Sequence, residues 1–262
     1  MRVLGITVPS TGMVTCNGGL QLLADLFAAI ETPSVPVACG IEPRGRDAVP
    51  FPEDWCEGVV TDSGLPHLGG WPFAPLREDA SDFLARQAET TPGLHVVALA
   101  PLTELAAVRR DHPAAYARIA GITTMAGIVD AESHDAGQGV GEWNAAADPA
   151  AFDEVLAGPV PVTVVPDDPV PAGPPRGMDA PVVGALGVGT VIESPKYWDL
   201  ATAGIFTTPA AGTDLQDGAW RADVTDDRGR LHRTGAGHVR VVTALDAAAL
   251  DDAYTAVFEP IR

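Results

Sequence analysis

A glutamate and an asparagine two positions apart, Glu142 and Asn144, flank Trp143 in the segment GEWNAAADP. In extended chain, residues two apart point the same way, so this pair reads as a grip on the hydroxyls of one ligand, with a solvated loop as the alternative. Asp199, in YWDLATA, stands where a helix opens. A carboxylate there is either a cap or, at the carboxyl end of a strand, an oxygen ligand for a hard cation. TVPSTGMVTCNGG, Thr7 to Gly19, combines glycines with hydroxyls, Cys16 and Asn17, yet contains neither GxxxxGK[ST] nor GxGxxG. A phosphate-cradling loop and a plain turn into a helix therefore compete for it. APLTE, Ala100 to Glu104, either exposes a backbone carbonyl or starts a helix. The six histidines form no HxxxH or similar cluster, and none is assigned to a metal.

These residues need a scaffold, and the chain supplies one by alternation. Arg2 to Val8 reads as a buried strand, followed by Leu20, Leu23, Phe27 and Ile30 at helical spacing. Val35 to Cys39 is the next strand, Asp79 to Glu89 a helix, and LHVVALA (Leu94 to Ala100) a strand buried on both faces. A helix from about Leu102 to Arg110 closes at Pro113, and a strand follows at Ile119 to Met125. Asp148 before Pro149 is a helix start, because the carboxylate caps free N–H groups and proline suits the first helical position. Pro159 to Val165 is a strand and Tyr197 to Phe206 a helix. Ala219 to Thr225, the turn Asp226 to Gly229, and His238 to Thr243 form a hairpin before a last helix that Asp246 caps and that runs to Phe258.

Alternating strands and helices imply an α/β fold: an open, doubly wound, mostly parallel sheet with helices on both faces, ending in a β-hairpin and helix. Sites in such sheets lie at the carboxyl ends of the strands. No repeat or low-complexity linker divides residues 1–262, so they read as one domain, with Glu42 to Leu76 and Asp167 to Gly189 as its longest irregular stretches.

The composition narrows the partners. With 16 Lys+Arg against 35 Asp+Glu the formal net charge is −19, which argues against a nucleic acid polymer or an anionic membrane as partner. At 46% hydrophobic and 19% charged the chain is not globally disordered, and no window approaches a membrane span. The start MRVLGITVPSTG does not read as a secretory signal, so the location expected is cytoplasmic. Cys16, Cys39 and Cys56 make neither a CxxC pair nor an even set, which disfavours a disulfide framework or a structural zinc site.

Read in order, VLGIT (Val3 to Thr7), VPVACG (Val35 to Gly40), VALAPLTELA (Val97 to Ala106), ITTMAG (Ile122 to Gly127), EWNAAADPAAFDEVL (Glu142 to Leu156), PVTVVPDD (Pro161 to Asp168) and YWDLATA resemble the inosine-uridine-preferring nucleoside hydrolase family over nearly the whole chain. The resemblance implies hydrolysis of the N-glycosidic bond of ribonucleosides with bound Ca²⁺, and a dimer or tetramer. STGMVTC looks most like the cysteine-containing subgroup, which puts Cys16 at the pocket, with Thr15 in place of that subgroup's histidine. Thr103 then matches the threonine whose carbonyl binds Ca²⁺, and Asp199 the late aspartate ligand. Glu142 and Asn144 match the ribose-binding pair, and Trp143 replaces a phenylalanine. Trp198 falls where many members place the histidine that protonates the leaving base, and an aromatic there favours stacking on a purine.

The family's opening strand ends in Asp-x-Asp-x-Gly-x-Asp-Asp, a motif that occurs nowhere in these 262 residues. Those aspartates supply most of the Ca²⁺ carboxylates and the base that activates water, so in their absence the candidates for a base are Asp62 and Asp167. The resemblance implies that this strand would lie inside the sheet beside Arg2–Val8. Without it, both neighbouring strands keep unpaired backbone groups. Two functions are then open: a nucleoside hydrolase whose polypeptide extends upstream, or a noncatalytic nucleoside- or ribose-binding homologue or assembly subunit.

Overall fold

Strand formation is densest where β-branched residues run together. GITTM and VTVV become β4 and β5 and are almost wholly buried. In the computed structural model, which describes residues 1–29, 35–43, 45–61, 74–173 and 196–258, the order is β1 (Ile6–Val8), α1 (Cys16–Ala29), β2 (Val37–Cys39), α2 (Glu53–Thr61), α3 (Ala80–Thr90), β3 (His95–Ala98), α4 (Thr103–Asp111), α5 (Pro113–Tyr116) and β4 (Gly121–Met125). Then come α6 (Trp143–Ala147), α7 (Pro149–Leu156), β5 (Val162–Val165), α8 (Trp198–Thr207), β6 (Gly212–Ala222), β7 (Leu231–Leu245) and α9 (Ala247–Phe258). None of the described helices is long and apolar enough to cross a membrane.

Helix starts obey the caps written in the sequence. Asp79 accepts from the N–H groups of Ser81 and Asp82 to open α3, Asp148 accepts from Ala151 ahead of Pro149 in α7, and Asp246 accepts from Ala248 and Ala249 to open α9. The hairpin turn is built the same way: Asp223 Oδ1 accepts from the N–H groups of Thr225, Asp226 and Asp227, and Gly229 takes φ +95°. Its strands are longer than the turn signals alone suggest. β6 begins at Gly212 and β7 ends at Leu245, because the antiparallel pairing runs from Gly212 opposite Leu245 to Ala222 opposite Leu231, while Asp223 to Thr225, expected in the strand, belong to the turn.

Neighbouring side chains on one strand separate to opposite faces of the sheet. Val164 and Val241 join a core with α3, α4, α5 and α7, whereas Val165 and Val242 join a second core with α8 and α9. The helices thus cover both faces, as a doubly wound sheet requires. Tyr116 is 1% exposed in the first core, and its hydroxyl has no hydrogen-bond partner among the described residues. Burial pushes the pKa of this phenol up to about 12. Tyr116→Phe removes an unsatisfied polar atom, so it is expected to raise stability by about 1 kcal/mol, read as a higher urea midpoint.

The sheet itself comes in two pieces. β1 pairs with β2 in parallel, and β3-β4-β5-β7-β6 form a five-stranded sheet, parallel except for the β6/β7 pair. Among the described residues β1 and β3 have no partner on their other edges. Hydrogen bonds between residues just past their carboxyl ends nevertheless join the two strands. The N–H and Oγ of Ser10 donate to Glu104 Oε1 (2.8 and 3.1 Å), and the hydroxyls of Thr11 and Thr103 lie 2.7 Å apart. LHVVALA, expected to be buried on both faces, is corrected here: β3 is only half-buried and Leu99 is 38% exposed, because β3 ends its sheet.

The cysteine reading is corrected as well. Cys16, at the start of α1, and Cys39, at the end of β2, form a disulfide with Cα atoms 5.4 Å apart, which leaves Cys56 as the free thiol. Their 23-residue separation hid the pair, since only the pairing of β2 with β1 brings the two sulfurs together.

Candidate functional site

The chain leaves β4 through Gly127, whose φ of +83° suits glycine and turns the backbone sharply. A Cβ there would also meet Gly229 O at 2.9 Å. The two polar groups of Gly127 tie the mouth together: its N–H donates to Glu142 Oε2 (2.9 Å), and its carbonyl accepts from Asp167 N (2.9 Å) just beyond β5. The carboxyl ends of β4 and β5, the start of α6 and the start of α8 therefore share one locality.

Glu142 is 2% exposed. The segment is not extended, as the two-residue spacing suggested; Glu142 is the N-cap of α6 and accepts from Asn144 N (2.8 Å) and Ala145 N (3.0 Å) besides Gly127. Burial pushes its pKa up, opposed by these three N–H donors. The side-chain amide of Asn144 turns back to donate to Met125 O (3.2 Å). Trp143 is 8% exposed and packs on Phe51 and Trp55, with ring centroids 5.7 and 5.2 Å away.

Asp167, one of the two candidate bases, is held by donors. Lys196 Nζ reaches its Oδ2 (2.8 Å) and its backbone carbonyl (2.9 Å), Trp198 Nε1 donates to Oδ1, and His134 Nε2 lies 3.4 Å from the same oxygen. Burial alone would raise its pKa, but these donors outweigh it and hold the carboxyl well below the usual carboxylate range. It is an ionised anchor and a poor acceptor of a further proton. The other candidate base, Asp62, lies outside the described residues.

Asp199, one residue into α8, does not cap it; the N-cap is Tyr197, without a side-chain cap bond. Asp199 is accessible to solvent yet walled by protein on its other sides. That loss of water, with the negative charge of Glu142 nearby, pushes its pKa up to about 7. Thr103 is buried in the first turn of α4, and its hydroxyl donates to Asp148 Oδ2 (2.9 Å). Cys16, placed at the pocket by resemblance, has its sulfur committed to Cys39.

A Ca²⁺ ion takes 6–8 oxygen ligands. Of the carboxylates at this mouth, Glu142 is filled by three N–H groups and Asp167 by Lys196, Trp198 and His134, which leaves Asp199. Among the described residues no group of three or more His, Cys, Asp or Glu could hold a metal ion. The described residues do not fit the cation.

The residue that sequence reading passed over is His134. Its ring sits beside Trp198, centroids 6.1 Å apart, in a segment closed by the His134 N to Gly141 O and Asp135–Val140 hydrogen bonds. A single histidine between Ser133 and Asp135 has no spacing to announce it, and only the fold brings it to Asp167.

Comparison with known proteins agrees with this architecture. A family model described as inosine-uridine preferring nucleoside hydrolase matches residues 1–251. Pyrimidine-specific ribonucleoside hydrolase RihA of Salmonella paratyphi A is 28% identical over 174 residues, 63% of this chain and 51% of that protein, and RihA of Klebsiella pneumoniae is 30% identical over the same shares. The chain thus spans about half the length of the curated relatives it matches. Among solved structures, an inosine-uridine preferring nucleoside hydrolase from Bacillus anthracis superposes with TM-score 0.80 at 19% identity, covering 99% of this chain and 91% of that one. A purine-preferring ribonucleoside hydrolase from Gardnerella vaginalis gives 0.78 at 18%, covering 100% and 91%. A match over residues 1–251, with the fold of solved members, shows that the chain belongs to the inosine-uridine preferring nucleoside hydrolase family.

Proposed function

We propose that these 262 residues bind a ribonucleoside at the carboxyl ends of β4 and β5 and, by themselves, do not cleave its N-glycosidic bond. The observation that carries the reading is the composition of the mouth: at the start of α8 Trp198 is tied to Asp167 and the accessible Asp199 feels the charge of the buried Glu142, whereas the aspartate-rich motif of the family is absent from the sequence. The RihA proteins and the solved hydrolases differ in base preference but share the ribonucleoside as substrate class, and the ribose side is the common element. In this reading Asp199 is the group open to the sugar hydroxyls, while Glu142 and Asn144 hold the floor beneath it. Hydrolysis needs a base for the attacking water and stabilisation of an oxocarbenium-like sugar. With Asp167 locked by its donors and no cation fitting the site, neither is supplied by the groups described.

The test is calorimetric titration of the full chain with inosine and uridine, alongside an assay for released base with and without Ca²⁺. Binding without base release is the expected result. Clear turnover by the same chain would overturn the noncatalytic reading, and absence of binding by either nucleoside would overturn the binding one.

One observation favours the second reading, an enzyme completed by further polypeptide. Among the described residues β1 and β3 each end a sheet while their carboxyl ends are joined through Ser10, Thr11, Thr103 and Glu104. A parallel strand between them would unite the two sheets and deliver its last residues to the same mouth. Translation of the DNA upstream of Met1 decides this: an in-frame Asp-x-Asp-x-Gly-x-Asp-Asp supports it, and an in-frame stop removes it.

A further inference from the structure

The most heavily connected polar cluster at the mouth is not one that the family pattern marks. Asp167, 6% exposed, collects Lys196, Trp198 and His134 on its two carboxylate oxygens. Three donors on one ionised carboxylate make a rigid anchor. Of the three, His134 alone has a second polar atom to offer. With Nε2 turned to Asp167, Nδ1 has no hydrogen-bond partner among the described residues, and the side chain is 20% exposed. Its ring lies 6.1 Å from the indole of Trp198, tilted 52° to it, so the imidazole and an aromatic surface adjoin.

We propose that His134, oriented by Asp167, is the residue that meets the nucleobase, donating a hydrogen bond from Nδ1 to an acceptor atom on the edge of a base stacked on Trp198. The inference rests on the nucleoside-binding reading and adds to it the polar contact for the base. An imidazole pinned through Nε2 presents Nδ1 as an acceptor when neutral and as a donor when protonated. The groups facing it decide which. Asp167 beyond β5 and Glu142 at the cap of α6 favour the charged ring, and Lys196 ahead of α8 opposes it. From the hairpin turn, Asp227 accepts from the neighbouring Ser133, with Arg230 on the same hydroxyl; Glu132 and Asp135 flank His134 in its own segment. Burial pulls the pKa down, but the hydrogen bond to Asp167 and the two negative charges exceed it, and the net shift is upward. Inosine binding should therefore tighten as pH falls through the titration of His134, because only the protonated ring donates.

The experiment is titration of the full chain with inosine from pH 5.5 to 8.5, with D-ribose as the ligand that has no base, for wild type, His134→Gln, His134→Phe and Asp167→Asn. At pH 6, His134→Phe should weaken inosine binding roughly tenfold or more, the loss expected for a hydrogen bond from a charged donor. The variant should leave ribose binding unchanged and abolish the pH dependence that inosine shows beyond ribose, because Asp199, pushed up to about 7, titrates under both ligands. His134→Gln, which offers a neutral donor, should recover part of the affinity without the pH dependence. Asp167→Asn should move the midpoint of that dependence to lower pH. Wild-type inosine affinity with an unchanged pH profile in His134→Phe overturns the inference while leaving nucleoside binding intact. Failure of the wild type to bind inosine at any pH overturns the underlying reading instead.

Discussion

Glu142→Ala is expected to lower the free energy of unfolding by about 3–4 kcal/mol. Its carboxylate receives the N–H groups of Gly127, Asn144 and Ala145 at 2.8–3.0 Å in a site 2% exposed, and alanine leaves all three without an acceptor. A buried donor left unpaired costs about 1–3 kcal/mol, so the simple sum is larger than the figure given. Two effects reduce it. The carboxylate is itself penalised by burial, as the upward shift of its pKa records, and the α6 donors gain water as the first turn loosens. Glu142→Gln keeps one oxygen acceptor and should lose about half as much. Urea midpoints of the two variants against wild type are the measurement. An alanine variant that unfolds at the wild-type midpoint would mean that the cap and the exit of β4 are held by something else, and Glu142 would then be free for a ligand.

Opening the Cys16–Cys39 bond, by reductant or by the paired change Cys16→Ser with Cys39→Ser, is expected to destabilise the β1–α1–β2 unit by about 3 kcal/mol. The bond closes a loop with a separation of 23 residues, and the chain-entropy cost of releasing such a loop is of that size. The effect is large relative to what else holds this unit. Its own core cluster has Val8, Leu20 and Val37 as its buried members, and its sheet is a pair of three-residue strands. Limited proteolysis with and without dithiothreitol reads the outcome, because cleavage between Cys16 and Cys39 should accelerate while the five-stranded sheet stays resistant. Equal cleavage rates would show that packing of Phe83 beneath Gly5 and the Ser10–Glu104 contacts already hold the unit.

Much of the framework is legible from local rules. Asp79, Asp148 and Asp246 each open the helix that their position announces, and the β-branched runs ITT and VTVV become β4 and β5 because burial on both faces suits branched side chains. What escapes is whatever depends on distant chain meeting. α2 at Glu53–Thr61 lies inside a stretch that reads as irregular, since Pro50 and Pro52 dominate its approach and its apolar residues are few. Cys16 and Cys39 meet only because β2 lies alongside β1. At the site, Asp199 and Glu142 are readable as carboxylates of interest, but that one is accessible while the other is filled by N–H groups is a result of burial and capping. His134 and Asp167 are 33 positions apart, and no spacing rule connects them.

The two ends of the five-stranded sheet are chemically unlike. β6, at one end, carries Asp217 and Arg221, each in an ion pair, with Arg240 and Asp153 as partners. Charges along an outermost strand make it a poor template for another chain. β3, at the other end, offers Val96, Val97 and Ala98 followed by the exposed Leu99, and its one ionisable residue, His95, is biased toward the neutral form by burial. Among the described residues the sheet is therefore guarded against edge-to-edge aggregation at β6 and not at β3, and whatever pairs with it through backbone hydrogen bonds, a productive partner or a misfolded neighbour, is directed to the side of β1 and β3.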